Sequence, residues 1–278
     1  MLRQYLVKYT TALKNTRFRL AYIDAFAGAG YRQLKAQSAD QQPLFEEIAA
    51  EESQGFLDGS ARIALKVEPA FTCYVFIERH SRRFRELERL KQEFPGRSRA
   101  IILRRADANE YLQEYCAKVD WGQWRAVLFL DPFGMQIDWA TMEAIAGTRA
   151  MDVWILFPLG VAVNRLLTRD PGKIAPSWRR RLNRMFGSDD WFDTFYRTEV
   201  SPGLLGEQER VEKVGTFQTI SAYYLEKLRG LFPKVADNPR MLRNSTNTPI
   251  FQVFFAAAEP GRGGDIAIKI AQYILKEK

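Results

Sequence analysis

The segment AYIDAFAGAG, Ala21 to Gly30, runs from an apolar stretch straight into an acidic residue and a turn of small residues. Gly28 and Gly30 permit positive φ and carry no Cβ, so a ligand can lie against the peptide planes there. Asp24 can accept a hydrogen bond from a ligand ammonium group. Three further acids end apolar stretches: Glu78 after TCYVFI, Asp107 after RAIILRRA and Asp131 after RAVLFL. A carboxylate in the position of Glu78 suits both hydroxyls of a ribose, each a donor; its alternative is a salt bridge to the arginines that follow. Asp107, in RADANEYL, is placed to cap the next helix, to meet an adenine amino group, or to do both. In FLDPFG, Pro132 sets the exit of the chain and leaves Asp131 projecting beside Phe133, with Gly134 allowing close approach. An acid beside an aromatic face suits a flipped base or another amine-bearing planar group, the carboxylate orienting the nucleophilic nitrogen. Each stretch alone also reads as a plain turn. Four in succession, the first with a glycine turn, fit a shared site better.

These acids can converge only if the stretches before them are neighbouring strands. Residues 2 to 14 place Leu2, Leu6, Tyr9 and Leu13 on one helical face. FRLAYIDAF then reads as a buried strand, followed by a long acidic insertion over about 31–58. Gly59 and Ser60 offer a turn and an N-cap before a short helix, ARIALKV. From there strands (TCYVFIE, RAIILRRAD, RAVLFLDPFG, MDVWILFP) alternate with helices (SRRFRELERLKQEF, NEYLQEYCAK, DWATMEAIAG). Strands apolar on both faces and joined by helices imply a parallel sheet covered on both sides, so residues 17–160 read as a doubly wound α/β core. In such a sheet ligands bind outside the carboxyl ends of the strands, where the four acids stand. Residues 1–16 form an N-terminal helix, 161–215 a basic helical insertion, and 216–278 complete the core with a helix, a hairpin around Asn-Ser-Thr-Asn at 244–247 and a last helix.

The 278 residues, 46% hydrophobic, suffice for a large single core. Two cysteines and one histidine, His80, leave no material for a disulfide framework or a Cys/His zinc cluster, so no metal is expected. His80 reads as a surface or capping residue, and Cys73 as buried and inert. No stretch reaches the roughly 18 to 20 apolar residues of a membrane helix, and no secretion signal opens the chain. A cytoplasmic protein without membrane contact is expected. The net charge of +8 favours a polyanionic partner. It is polarised: ten Lys/Arg against three Glu over 79–105, seven against one Asp over 161–186, and six acids with no base over 36–58. Arg165, Arg179, Arg180, Arg181 and Arg184 are the candidate phosphate contacts, with Trp178, Trp191 and Phe192 available for stacking.

Taken together, YIDAFAGAG, GSARIAL, YVFIE, LFLDPFG and DVWILFP, in that order, resemble the three-Cys-motif partner protein (TcmP) family, among the class I S-adenosylmethionine-dependent methyltransferase-like folds. The resemblance spans about residue 17 to FQVFFAAA. It is more distantly similar to ribosomal-RNA adenine-N6 methyltransferases. It implies a Rossmann-like, mostly parallel sheet of seven strands whose last strand is antiparallel. It also implies that Asp24, Phe26, Ala27, Gly28 and Gly30 line the methionine end of S-adenosylmethionine, Glu78 its ribose and Asp107 its adenine. Asp131, which also borders the cofactor, would form the target pocket with Pro132, Phe133 and Gly134. Gly134 stands where the adenine-N6 enzymes carry a stacking aromatic residue, and Phe133 replaces a second proline. The family name points to a separate three-Cys-motif protein, encoded nearby, as partner.

The reading that follows is a methyltransferase acting on nucleic acid, on an amine nitrogen of a base. Its alternative is a cofactor-binding, non-catalytic subunit that docks another protein through the acidic 36–58 segment. A dinucleotide enzyme is a third, disfavoured because the fingerprint places its third glycine where this chain has Gln33.

Overall fold

Alternate residues of a strand buried on both faces must enter opposite layers. The computed structural model describes residues 1–28, 59–132, 135–203 and 206–276. In it β1 (Arg19–Asp24) sends Ala21 and Ile23 into one core and Leu20 and Tyr22 into the other. β2 (Cys73–Ile77), β3 (Ile101–Arg104), β4 (Trp124–Leu130) and β5 (Met151–Phe157) run parallel to it in the order β3-β2-β1-β4-β5. The winding therefore reverses between β1 and β4, the switch point at which α/β sheets bind ligands. One face is covered by α1 (Leu2–Leu13), α2 (Ser60–Leu65) and α3 (Ser81–Glu88), through Leu6, Ala64 and Leu87. The other is covered by α4 (Ala108–Lys118) and α5 (Trp139–Gly147), through Leu112 and Ile145.

The stretch 161–215, expected to be helical throughout, divides in two. Its first half holds α6 (Pro176–Phe186), which sets Leu182 and Phe186 into the core and ends at Gly187 with φ of 75°. After a short helix at Trp191–Phe195 the helical expectation fails. β6 (Tyr196–Gly203) and β7 (Gly206–Lys213) form an antiparallel ribbon of their own, in register from Tyr196–Lys213 to Gly203–Gly206. Pro202, Gly203 and Gly206 interrupt any helix here, and Thr198, Val200 and Val211 favour extended backbone. The acidic stretch 31–58 lies outside the described residues.

The chain then returns to the sheet through α7 (Phe217–Leu231), β8 (Lys234–Val235), β9 (Arg240–Arg243), β10 (Pro249–Ala257) and α8 (Arg262–Lys276). β10 pairs antiparallel with β5 and carries β8 beyond it, giving the seven-strand path and antiparallel last strand that the resemblance implies. β9 adds an eighth strand against β10, closing the hairpin expected around 244–247. Among the described residues no helix is long and apolar enough to cross a membrane.

Two contacts test this packing. Beyond β5, a Cβ on Gly160 would stand 1.9 Å from the carbonyl oxygen of Pro249 at the start of β10. Gly160→Ala is therefore expected to cost about 3 kcal/mol in urea unfolding, since that backbone cannot give way without leaving the ladder. On β5 itself, Asp152 is buried beneath α1, where the Tyr5 hydroxyl donates to it at 2.6 Å. Burial pushes its carboxyl from 3.8 up to about 7, against the opposing effect of the Tyr5 bond. The folded state thus keeps a proton that the unfolded chain releases, so this group erodes stability as pH rises from 3.8 to about 7, and no further above it. The melting temperature of Asp152→Asn, relative to wild type, is expected to rise between about pH 5 and pH 8.

Candidate functional site

The turn after β1 is stitched into the sheet on both sides. The Ala25 N–H bonds the Phe129 carbonyl of β4 at 3.2 Å, and the Ala27 N–H bonds the Ile77 carbonyl of β2 at 3.0 Å. Phe26 is half-buried against the core, Ala27 is buried, and Gly28 closes the turn at φ 31°, where a side chain is strained although nothing crowds the space. Gly30 lies outside the described residues.

Asp24, at the tip of β1, has no exposed surface. The Ser60 hydroxyl donates to one of its oxygens and the Phe26 N–H to the other at 3.3 Å. Burial raises its carboxyl from 3.8 to about 7; the Ser60 bond lowers it, and the charges of Asp131 and Glu78 raise it further. Asp24, Glu78 and Asp131 thus stand at the tips of the neighbouring strands β1, β2 and β4. Through the Ser60 and Phe26 bonds Asp24 organises the turn that follows it.

Glu78 follows β2 and is 7% exposed. One of its oxygens accepts the His80 N–H at 2.6 Å, which fixes the carboxylate from its own chain and makes the expected salt bridge unnecessary. His80 occupies the N-cap position of α3 without a side-chain cap bond, so its part is played by its backbone. Asp107 caps α4: its Oδ1 accepts the Asn109 N–H at 2.9 Å and the Glu110 N–H at 3.4 Å, while Oδ2 faces Arg79 at 3.5 Å.

Asp131 is half-buried at the end of β4 and Pro132 is buried behind it. Phe133 and Gly134 lie outside the described residues. The chain that follows is held by Asn109, a residue that sequence reading passed over. Its Nδ2 donates to the Gln136 carbonyl at 2.7 Å, and its Oδ1 accepts the Asp138 N–H and the Thr141 hydroxyl, each at 2.9 Å. Ser60 was read as an N-cap and is instead the first helical residue, its hydroxyl turned to Asp24. Both partnerships join residues about thirty positions apart, and no local signal announces them.

Arg165, Arg179, Arg180, Arg181 and Arg184 are all exposed. Arg179 lies over the Phe192 ring at 4.8 Å, and Arg184 pairs with Asp138. That pair ties the basic helix α6 to the start of α5, next to the chain leaving β4. Trp178 is exposed, whereas Trp191 has no exposed surface and donates to Asn183 at 2.8 Å. Trp191 is a core residue and cannot stack on a base. Cys73 is buried, and burial pushes its thiol up to about 11. Among the described residues no cluster of His, Cys, Asp or Glu could hold a metal ion.

Strand order and the antiparallel β10 define a Rossmann-like, doubly wound α/β fold with a mostly parallel sheet. The sequence matches no protein-family model and no curated protein. Among solved structures it is similar to a Legionella pneumophila protein at 13% identity, covering 99% of this chain and 89% of that one with a TM-score of 0.44. It is also similar to a spermidine synthase in complex with the transition-state analogue AdoDATO, at 12% identity over 95% of this chain and 62% of that one, TM-score 0.41. The spermidine synthase of Thermotoga maritima gives 11%, 94% and 62%, with a TM-score of 0.39.

The Ser60–Asp24 bond is open to direct measurement. Ser60→Ala is expected to move the Asp24 carboxyl upward from about 7, since the lost donor favoured the charged form. Carboxyl-carbon NMR reads that shift, and the unpartnered carboxyl is expected to cost about 1 to 3 kcal/mol of stability.

Proposed function

We propose that this chain is a cytoplasmic S-adenosylmethionine-dependent methyltransferase of the three-Cys-motif partner type that acts on nucleic acid. The observation that supports it is the placement of Asp24, Glu78 and Asp131 at the tips of the neighbouring strands β1, β2 and β4, beside a turn whose backbone is pinned to β2 and β4. The donor set suits the cofactor. Glu78 keeps one oxygen for its own chain, and the other suits ribose hydroxyl donors. Ala27 and Gly28 offer backbone to the amino-acid end, with Phe26 beside them, and Asp24 keeps that backbone in place. When bound, S-adenosylmethionine supplies a methyl group already activated on sulfonium, so the protein's task is alignment and electrostatics.

Asp131 is the residue assigned to the acceptor. Its carboxylate accepts a hydrogen bond from a base amine, orients the nitrogen lone pair and stabilises the positive charge that develops there. Pro132, behind it, restricts the backbone from which Asp131 projects. Asn109 sets the loop beyond. Arg165, Arg180 and Arg181 are assigned to phosphates, with Arg184 positioning α6 against the loop after β4. A three-Cys-motif protein is the proposed companion, and the six acids of 36–58 are the segment proposed to meet it.

Calorimetry with S-adenosylmethionine and S-adenosylhomocysteine tests the cofactor, and transfer of a radiolabelled methyl group to RNA and DNA tests the reaction. Wild type is expected to bind both compounds, and Glu78→Ala to weaken them about tenfold or more. Asp131→Ala is expected to retain binding and lose transfer by about a hundredfold. If wild type binds neither compound the reading is wrong; binding without transfer to any nucleic acid turns it into the non-catalytic companion.

A further inference from the structure

The same strands that end in acids begin in a basic, aromatic hollow. A cavity of about 330 Å³ opens at the amino-terminal edge of the sheet, lined by Arg19, Cys73, Arg99, Ile102, Tyr115 and Trp124 among others. Arg19 and Asp24 are the two ends of β1, about 17 Å apart at the usual rise per residue, so this cavity is separate from the switch-point site. Its volume falls at the lower end of the range for small-molecule sites, about 300 to 1,000 Å³.

Charge and shape there go together. Arg19 and Arg99 are exposed, and neither has a carboxylate partner among the described residues. No acid lines the cavity. Asp120, in the adjoining loop, is engaged by the Gly122 N–H at 3.0 Å and by Gln123 Nε2 at 2.6 Å. The Arg19 guanidinium lies 4.4 Å from the centre of the Trp124 ring. This contact holds the guanidinium over an aromatic face, which supplies no hydrogen-bond acceptor oxygen and no carboxylate, so its charge stays available to an oxyanion. Trp124, Tyr115 and Ile102 supply an apolar wall for a planar group. Cys73, buried and neutral, adds no opposing charge.

The geometry points to a second ligand site, in which Arg19 and Arg99 bind the phosphate of a nucleotide and the Trp124–Tyr115 wall receives its base. The ligand chemistry is a nucleoside phosphate, either as a free mononucleotide or as one nucleotide of a strand. The inference does not rest on methyl transfer, because no residue of the switch-point site takes part.

Calorimetry with uridine 5′-monophosphate, uridine and a 5′-phosphorylated tetranucleotide is the test. Uridine 5′-monophosphate is expected to bind wild type about tenfold more tightly than uridine, and Arg19→Ala and Arg99→Ala each to weaken it about tenfold. Both side chains are exposed, so the variants are expected to melt with wild type, and Arg99→Lys to keep most of the affinity. A tetranucleotide that binds about tenfold more tightly than the mononucleotide, and loses that affinity in the same variants, identifies a strand as the source. Equal affinities identify the free nucleotide. The inference fails if wild type binds neither phosphate compound, or if the two alanine variants bind them as wild type does.

Discussion

A carboxylate shut away from water at the tip of a central strand is the constraint around which this molecule is built. Ionised and unpaired, Asp24 would be prohibitively costly in that position. The structure answers with the Ser60 hydroxyl, the Phe26 N–H and a titration moved to about 7. Each answer fixes a piece of chain. Ser60 brings α2 to the β1 tip from across the long insertion, and Phe26 folds the turn back on itself. With Ala25 and Ala27 bonded to β4 and β2, the turn has little freedom left. A backbone so held can present its N–H and carbonyl groups to a ligand without reorganising.

The loop after β4 is built on the same principle with a neutral group. Asn109 is buried and joins Gln136, Asp138 and Thr141 through its own amide. Three satisfied bonds on one side chain specify a loop more sharply than apolar contact does, because leaving any of them unmade is costly. The Arg184–Asp138 pair then carries the order outward to α6. As an exposed ion pair it contributes little to stability. Its effect is on placement: it keeps the basic helix beside the chain that leaves β4.

The sheet also separates charge along its strands. Acids gather where β1, β2 and β4 end, and arginines where β1 begins and just before β3. Two faces of apolar packing lie between, so the ends share a scaffold without sharing side chains.

Much of the fold was legible in the residues. The apolar runs, the helices between them and the acids at their ends follow from periodicity and local turn chemistry, which act over a few residues. The hairpin around 244–247 was legible for the same reason. The ribbon at 196–213 was missed because an Arg- and Trp-rich helix just before it dominated the reading, although Pro202 and the glycines were in view. Asp107 shows the limit of local inference: a cap and a ligand contact ask for the same carboxylate at the same place, and the 2.9 Å bond to Asn109 establishes the cap. Asp24, Ser60, Asn109 and Trp191 mark what tertiary structure alone determined. Burial and long-range pairing are properties of the assembled layers: they gave Asp24 its partners and turned a cap into a donor and a stacking ring into core. Composition and spacing settle which residues can reach the sheet edge; which of them still have a free face when they arrive depends on what the rest of the chain packs against them.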